Sequence, residues 1–136
     1  MGLTPHRRYT LLAQFWAASF VVTGLIFLFA PLQLGAQMQW TAQLLGLNGT
    51  IACAPDSMWH VIALSLMVTV TMLSLQTAQD PDARAPYLTL QAAKLSSTAL
   101  FLLLAARHGS IWILAAATDG GIALSLFLAR RALPKS

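Results

Sequence analysis

The chain has 136 residues, of which 57% are hydrophobic and only 9% charged, with a formal net charge of +4 and a mean hydropathy of +0.69. A soluble domain is about one-quarter charged, so this chain could not cover itself in water, and a multi-spanning membrane protein is the class that length and composition leave. The positive balance does not signal nucleic acid, because the basic residues stand at the ends of apolar segments rather than clustering with aromatics in polar loops.

The first predicted segment runs from about Tyr9 to Ala30 and is ended by Pro31. Arg7 and Arg8 precede it and a weak cleavage-like Leu34-Gly35-Ala36 follows, as in a signal peptide, but its length predicts an uncleaved first helix. A long loop, residues 32–57, comes next. Its middle, GAQMQWTAQLLGLNG, has no charge and several large apolar residues, which suits a short helix lying on the bilayer surface or over the mouth of a bundle. Asn48-Gly49-Thr50 within it matches a glycosylation acceptor.

The second segment runs from about Trp59 to Gln76, with Asp56 or Ser57 as its expected cap. After the turn-rich connector AQDPDARAP comes the third, Tyr87 to Ala106, with Pro86 suited to its first turn. Only Arg107-His108-Gly109-Ser110 separates it from the fourth, Ile111 to Ala129. Gly109 can end one helix in the left-handed conformation and Ser110 can cap the next, which predicts a tight antiparallel hairpin. About 20 residues span the hydrocarbon layer, and an isolated strand cannot satisfy its backbone there. The expected fold is therefore all-α, a single four-helix transmembrane bundle over residues 1–136.

Lys and Arg set the expected orientation. With the N-terminus inside, the inner side holds Arg7, Arg8, Arg84, Arg130, Arg131 and Lys135, and the outer side only Arg107. This predicts that both termini are cytoplasmic. Trp40, Trp59 and Trp112 then fall at the outer interface, while Trp16 lies inside the first segment.

Asp119 is the residue most out of place, lying about ten residues from the inner end of an apolar helix. An acid at that depth costs about 2.5–3.5 kcal/mol unless paired or protonated, so it should face the interior. Lys94 is the only other ionisable residue well inside an apolar segment. The expected register sets it level with about Ser125, roughly six residues (about 9 Å) inward of Asp119. The lysine side chain covers much of that distance, and a water could close the rest. The pair reads either as a structural ion pair or as a coupling pair for protons or substrate.

Gln91, Lys94, Ser97 and Thr98 make one polar stripe on the third helix. Ser65 and Thr69 on the second, and Ser19 and Thr23 on the first, extend the expected polar interior, with helix packing as the plainer account of all of them. His60, His108, Cys53 and Asp56 should gather near the outer surface, yet they lie on separate stretches without ligand spacing, so no metal is expected. The lone Cys53 excludes an internal disulfide. No catalytic set or phosphate loop is present, and no cofactor is expected.

The layout resembles that of small bacterial four-helix membrane proteins of the DoxX-like type. The likeness is carried by the long outer first loop, the inner DPDAR turn (Asp80 to Arg84), AAKL with Lys94, and TDGG followed by Arg130-Arg131. The resemblance implies a membrane subunit associated with electron transfer. The expected function is accordingly a non-catalytic inner-membrane subunit packing against a larger complex, in contact with lipid and with other membrane subunits or further copies of itself. The alternative is a small proton-coupled transporter or ligand carrier using Asp119 and Lys94.

Overall fold

The computed structural model describes residues 4–50 and 58–134, apart from the side chains of residues 58–62, and these form helices with no strand among them. In chain order they are α1 (Pro5–Phe29), α2 (Pro31–Leu44), α3 (Met58–Gln79), α4 (Arg84–His108) and α5 (Trp112–Arg131). Among them α1, α4 and α5 are long and apolar enough to cross a membrane. At about 1.5 Å per residue they measure roughly 30–38 Å against a hydrocarbon thickness of about 30 Å. The 22 residues of α3 contain no Asp, Glu, Lys or Arg.

Several helices extend beyond the expected segments at the end that carries the chain termini. Hydropathy sees only the apolar run, whereas the backbone stays helical through charged residues such as Arg7, Arg8 and Arg84. α1 starts where sequence chemistry permits: Thr4 Oγ1 accepts from Arg7 N at 3.4 Å, and Pro5 occupies the first turn. Of the uncharged loop middle, residues 35–44 are helical within α2, which follows α1 after Ala30 alone, while residues 45–49 are not helical.

Two antiparallel pairs dominate the packing, α1 against α3 and α4 against α5; lighter α3–α4 and α1–α5 contacts join them, and α2 touches α1. Burial is inverted relative to a water-soluble protein. Ser74, Thr77, Gln91 and Lys94 are buried, while Phe15 (59% exposed), Leu25, Leu66, Leu100 and Phe127 face outward. Polar groups inside and large apolar ones outside is the arrangement that hydrocarbon favours.

Most of the core lies toward the terminal end, where Tyr9, Ala13, Phe20, Ala78, Tyr87, Leu90, Ile122 and Leu126 pack together. Arg130 closes that end. Its guanidinium donates to Ala83 O at 2.9 Å and Asp82 O at 3.0 Å and lies 4.2 Å from the Tyr87 ring centroid. Asp80 Oδ1 accepts from the backbone N–H groups of Asp82 and Ala83, folding the connector into an Asx turn. His6 Nε2 stands 3.5 Å from Asp82 Oδ2.

At the opposite end the segment after α2 docks on the α4–α5 turn. Asn48 O accepts from Ile111 N at 2.9 Å, and Asn48 N donates to Ser110 Oγ at 2.8 Å. Gly109 ends α4 at φ +112° and ψ +151°, an extended positive-φ conformation rather than the expected left-handed helical one, and a Cβ there would fall 2.6 Å from Asn48 O. Ser110 does not cap α5, whose start has no side-chain cap; its hydroxyl is engaged by residue 48 instead.

Candidate functional site: a buried ion pair between α4 and α5

Lys94 and Asp119 meet directly. Lys94 Nζ donates to Asp119 Oδ1 at 2.8 Å, with the two side chains only 11% and 14% exposed. Ser97 Oγ donates to the other carboxylate oxygen. Both oxygens therefore have partners, and the ammonium also lies 4.5 Å from the Phe20 ring centroid, bringing α1 into the site.

The expected water-bridged gap does not occur, because the register is closer than the sequence estimate placed it. Gln91 Nε2 donates to Ala123 O at 2.9 Å, and Gly120 lies against Thr98. Lys94 thus stands near the level of residues 120–124, about one turn inward of Asp119 at the midpoint and within reach of its own side chain. The helices are close here: a Cβ added at Gly120 would meet Thr98 Cγ2 at 3.4 Å, an ordinary contact that leaves no room for a larger side chain.

The α4 stripe faces inward as one unit. Gln91 and Lys94 are buried, Ser97 and Thr98 half-buried, and the Thr98 hydroxyl donates to Lys94 O, which shares the single Ser97 hydroxyl hydrogen with Asp119. The α3 pair behaves otherwise. Ser65 and Thr69 are exposed, with Thr69 Oγ1 donating to Ser65 O of its own helix. They belong to the perimeter, not to a polar interior, because α3 turns its opposite face, with Ser74 and Ala78, toward its neighbours. Thr23 is likewise exposed, and Ser19, half-buried, donates to Phe15 O of its own helix.

Trp16 finds its reason here. Its indole N–H donates to Ser125 Oγ at 3.1 Å, tying α1 to α5 about 9 Å inward of Asp119. Neither this bond nor the Phe20 contact was readable from one sequence, since both depend on how α1 is rotated. Trp112, expected at the interface, stacks on Phe101 at 6.0 Å between centroids, whereas Trp40 is 63% exposed.

His108 is exposed at the end of α4. Cys53 and Asp56 lie outside the described residues, as do the side chains of His60 and Trp59. Among the described residues no group of three His, Cys, Asp or Glu side chains could hold a metal.

A cleft of about 260 Å³ between α3 and α4 ends on the pair, with Lys94, Ser97 and Asp119 on one side and Leu66, Met67, Val70 and Phe101 among its apolar walls. No known protein family, curated protein or solved structure matches the chain. The site must be read from its own chemistry. It can hold charge at a depth where unpaired charge is costly, and it can offer hydrogen bonds to whatever enters the cleft.

Proposed function

We propose that the chain is a four-span inner-membrane protein, with α1, α3, α4 and α5 crossing the bilayer and both termini cytoplasmic, that serves as a non-catalytic packing subunit of a larger membrane assembly. The observation that carries this reading is the inverted burial. The two opposite charges are paired within the chain and turned inward, while Phe15, Leu25, Leu66, Leu100 and Phe127 are left to meet lipid or other helices.

Charge placement supports the orientation: Arg7, Arg8, Arg84, Arg130 and Arg131 stand at one end of the helices and Arg107 at the other. The DoxX-like resemblance points to an electron-transfer complex as the assembly. Gentle solubilisation with sedimentation analysis, together with reporter fusions after Ala83 and His108, tests the reading. Partner chains should co-sediment, with the reporter after Ala83 cytoplasmic and that after His108 external. A monodisperse, partner-free monomer or an inverted reporter pattern would reject it.

The carrier alternative draws on a different observation, the cleft that reaches Lys94 and Asp119. Asp119→Asn separates the two: a carrier loses coupled uptake while still folded, whereas a packing subunit loses stability and keeps its partners' activity in proportion to the folded fraction.

A further inference from the structure

We infer that the cleft between α3 and α4 binds the polar end of an uncharged, lipid-soluble molecule through a single acceptor oxygen, of carbonyl type, which takes a hydrogen bond from Lys94. The first ground is donor capacity. An ammonium carries three N–H donors, and among the described residues Lys94 Nζ makes one hydrogen bond, to Asp119 Oδ1, with the Phe20 ring as its other neighbour. A buried donor demands an acceptor, and Lys94 borders the cleft. Each Asp119 oxygen already has a donor, whereas two of the three Lys94 N–H groups have no hydrogen-bond acceptor among the described residues, so the stronger demand in the cleft is for an acceptor.

The second ground is depth and access. Lys94 lies ten residues, or about 15 Å, from the start of α4, near the middle of a hydrocarbon layer about 30 Å thick. The cleft is flanked by the exposed residues Leu66 and Ala93, so it opens toward the lipid-facing perimeter rather than toward either end of the helices. A ligand arriving that way crosses hydrocarbon, which rejects a charged head group. An anion would also meet Asp119, and a cation Lys94. A ketone or ester oxygen avoids all three penalties.

The third ground is size. A volume of about 260 Å³ falls just below the range of about 300–1,000 Å³ typical of small-molecule pockets. It accommodates the head of such a molecule while an aliphatic tail remains along Leu66 and the perimeter.

This inference rests on the membrane placement proposed above, which the reporter fusions test separately. The experiment uses the full chain in phosphatidylcholine nanodiscs, with 2-pentadecanone labelled with ¹³C at the carbonyl as the probe, against pentadecane and pentadecanoate. The ketone should bind roughly tenfold more tightly than the alkane, the ratio one hydrogen bond to a charged donor supplies. Its carbonyl stretch should move to lower wavenumber on binding. Ala63→Phe, which fills the cleft from the α3 wall while leaving both charges in the sequence, should abolish binding. Lys94→Met combined with Asp119→Leu should keep alkane binding but erase the ketone preference and the spectral shift.

Equal binding of ketone and alkane, an unshifted carbonyl band, equal or tighter binding of pentadecanoate, or a preference that survives in the double variant would each overturn the assignment. So would a dimer that Ala63→Phe dissociates, since a second copy would then occupy the cleft.

Discussion

Replacing Lys94 by methionine isolates the energetics of the buried pair. The substitution keeps the aliphatic stem and removes the ammonium, and with it the 2.8 Å bond to Asp119 and the contact with the Phe20 ring. A hydrogen bond to a charged group contributes about 1.5–3 kcal/mol, and a desolvated cation–π contact about 2 kcal/mol or less. Asp119 is left with Ser97 as its one hydrogen-bond partner among the described residues, at a depth where an unpaired acid costs about 2.5–3.5 kcal/mol. The lost bond and the stranded acid are two views of one event, so these figures are not summed. The expected destabilisation is about 3 kcal/mol, the lower end of the range for breaking a buried pair.

The decisive comparison is the double variant Lys94→Met with Asp119→Leu. Replacing both charges by apolar groups of similar size is close to neutral, so most of the loss should be recovered, with a coupling of about 2 kcal/mol or more. Reversible unfolding in mixed micelles titrated with dodecyl sulfate, followed by far-ultraviolet circular dichroism, measures all four corners of the cycle. Single variants that add to within about 0.5 kcal/mol in the double, or a Lys94→Met protein as stable as the parent, would refute the reasoning.

Trp16→Phe removes the indole bond to Ser125 while keeping an aromatic ring. The expected loss in the same unfolding assay is about 0.6 kcal/mol and no more than about 1.7, the measured span for hydrogen bonds between membrane helices. Gly109→Ala forces a side chain into φ +112° and against Asn48 O; it should cost about 1–3 kcal/mol and raise hydrogen exchange at Asn48 and Ile111, whose N–H groups the docking protects. Arg130→Gln should expose the connector 80–83 to proteolysis from the terminal side, because both guanidinium bonds to its carbonyls disappear. The two adjacent glycines of α5 should differ. Gly120→Leu pushes α5 away from Thr98 and should destabilise the protein by about 1–3 kcal/mol, whereas Gly121→Leu, with nothing within 4 Å, should stay within about 1 kcal/mol of the parent. Equal effects at the two positions would mean that α5 is rotated differently.

The helices were legible because each is a long apolar run with few charges, bounded by Pro, Gly or charged residues. Lys94 and Asp119 were legible as partners for a simple reason: no other charged residue lies well inside an apolar segment. What a single sequence withheld was rotation and register. On α3, Ser65 and Thr69 make as good a polar stripe as Ser74 and Thr77, and only the identity of the neighbouring helix decides which pair is buried. The Trp16–Ser125 bond spans 109 positions and leaves no local pattern. The role of Ser110 was misread because a serine before a helix is normally its cap, while here a distant backbone N–H competes for the same oxygen.

The turn at residues 109–111 also bears on biogenesis. Lys94 precedes Asp119 by 25 positions, so during synthesis α4 is complete while its counter-charge is still to be made. Released alone into lipid, α4 would carry an unpaired cation, at about 2.5–3.5 kcal/mol on the insertion scale. A connector this short lets α4 and α5 enter as a preassembled hairpin, with the two charges neutralised before either faces acyl chains. Chains arrested before residue 119 emerges should therefore remain held at the insertion machinery, and those extended past Arg131 should partition into the bilayer. Lipid cross-links to α4 in the shorter chains would show that it enters alone.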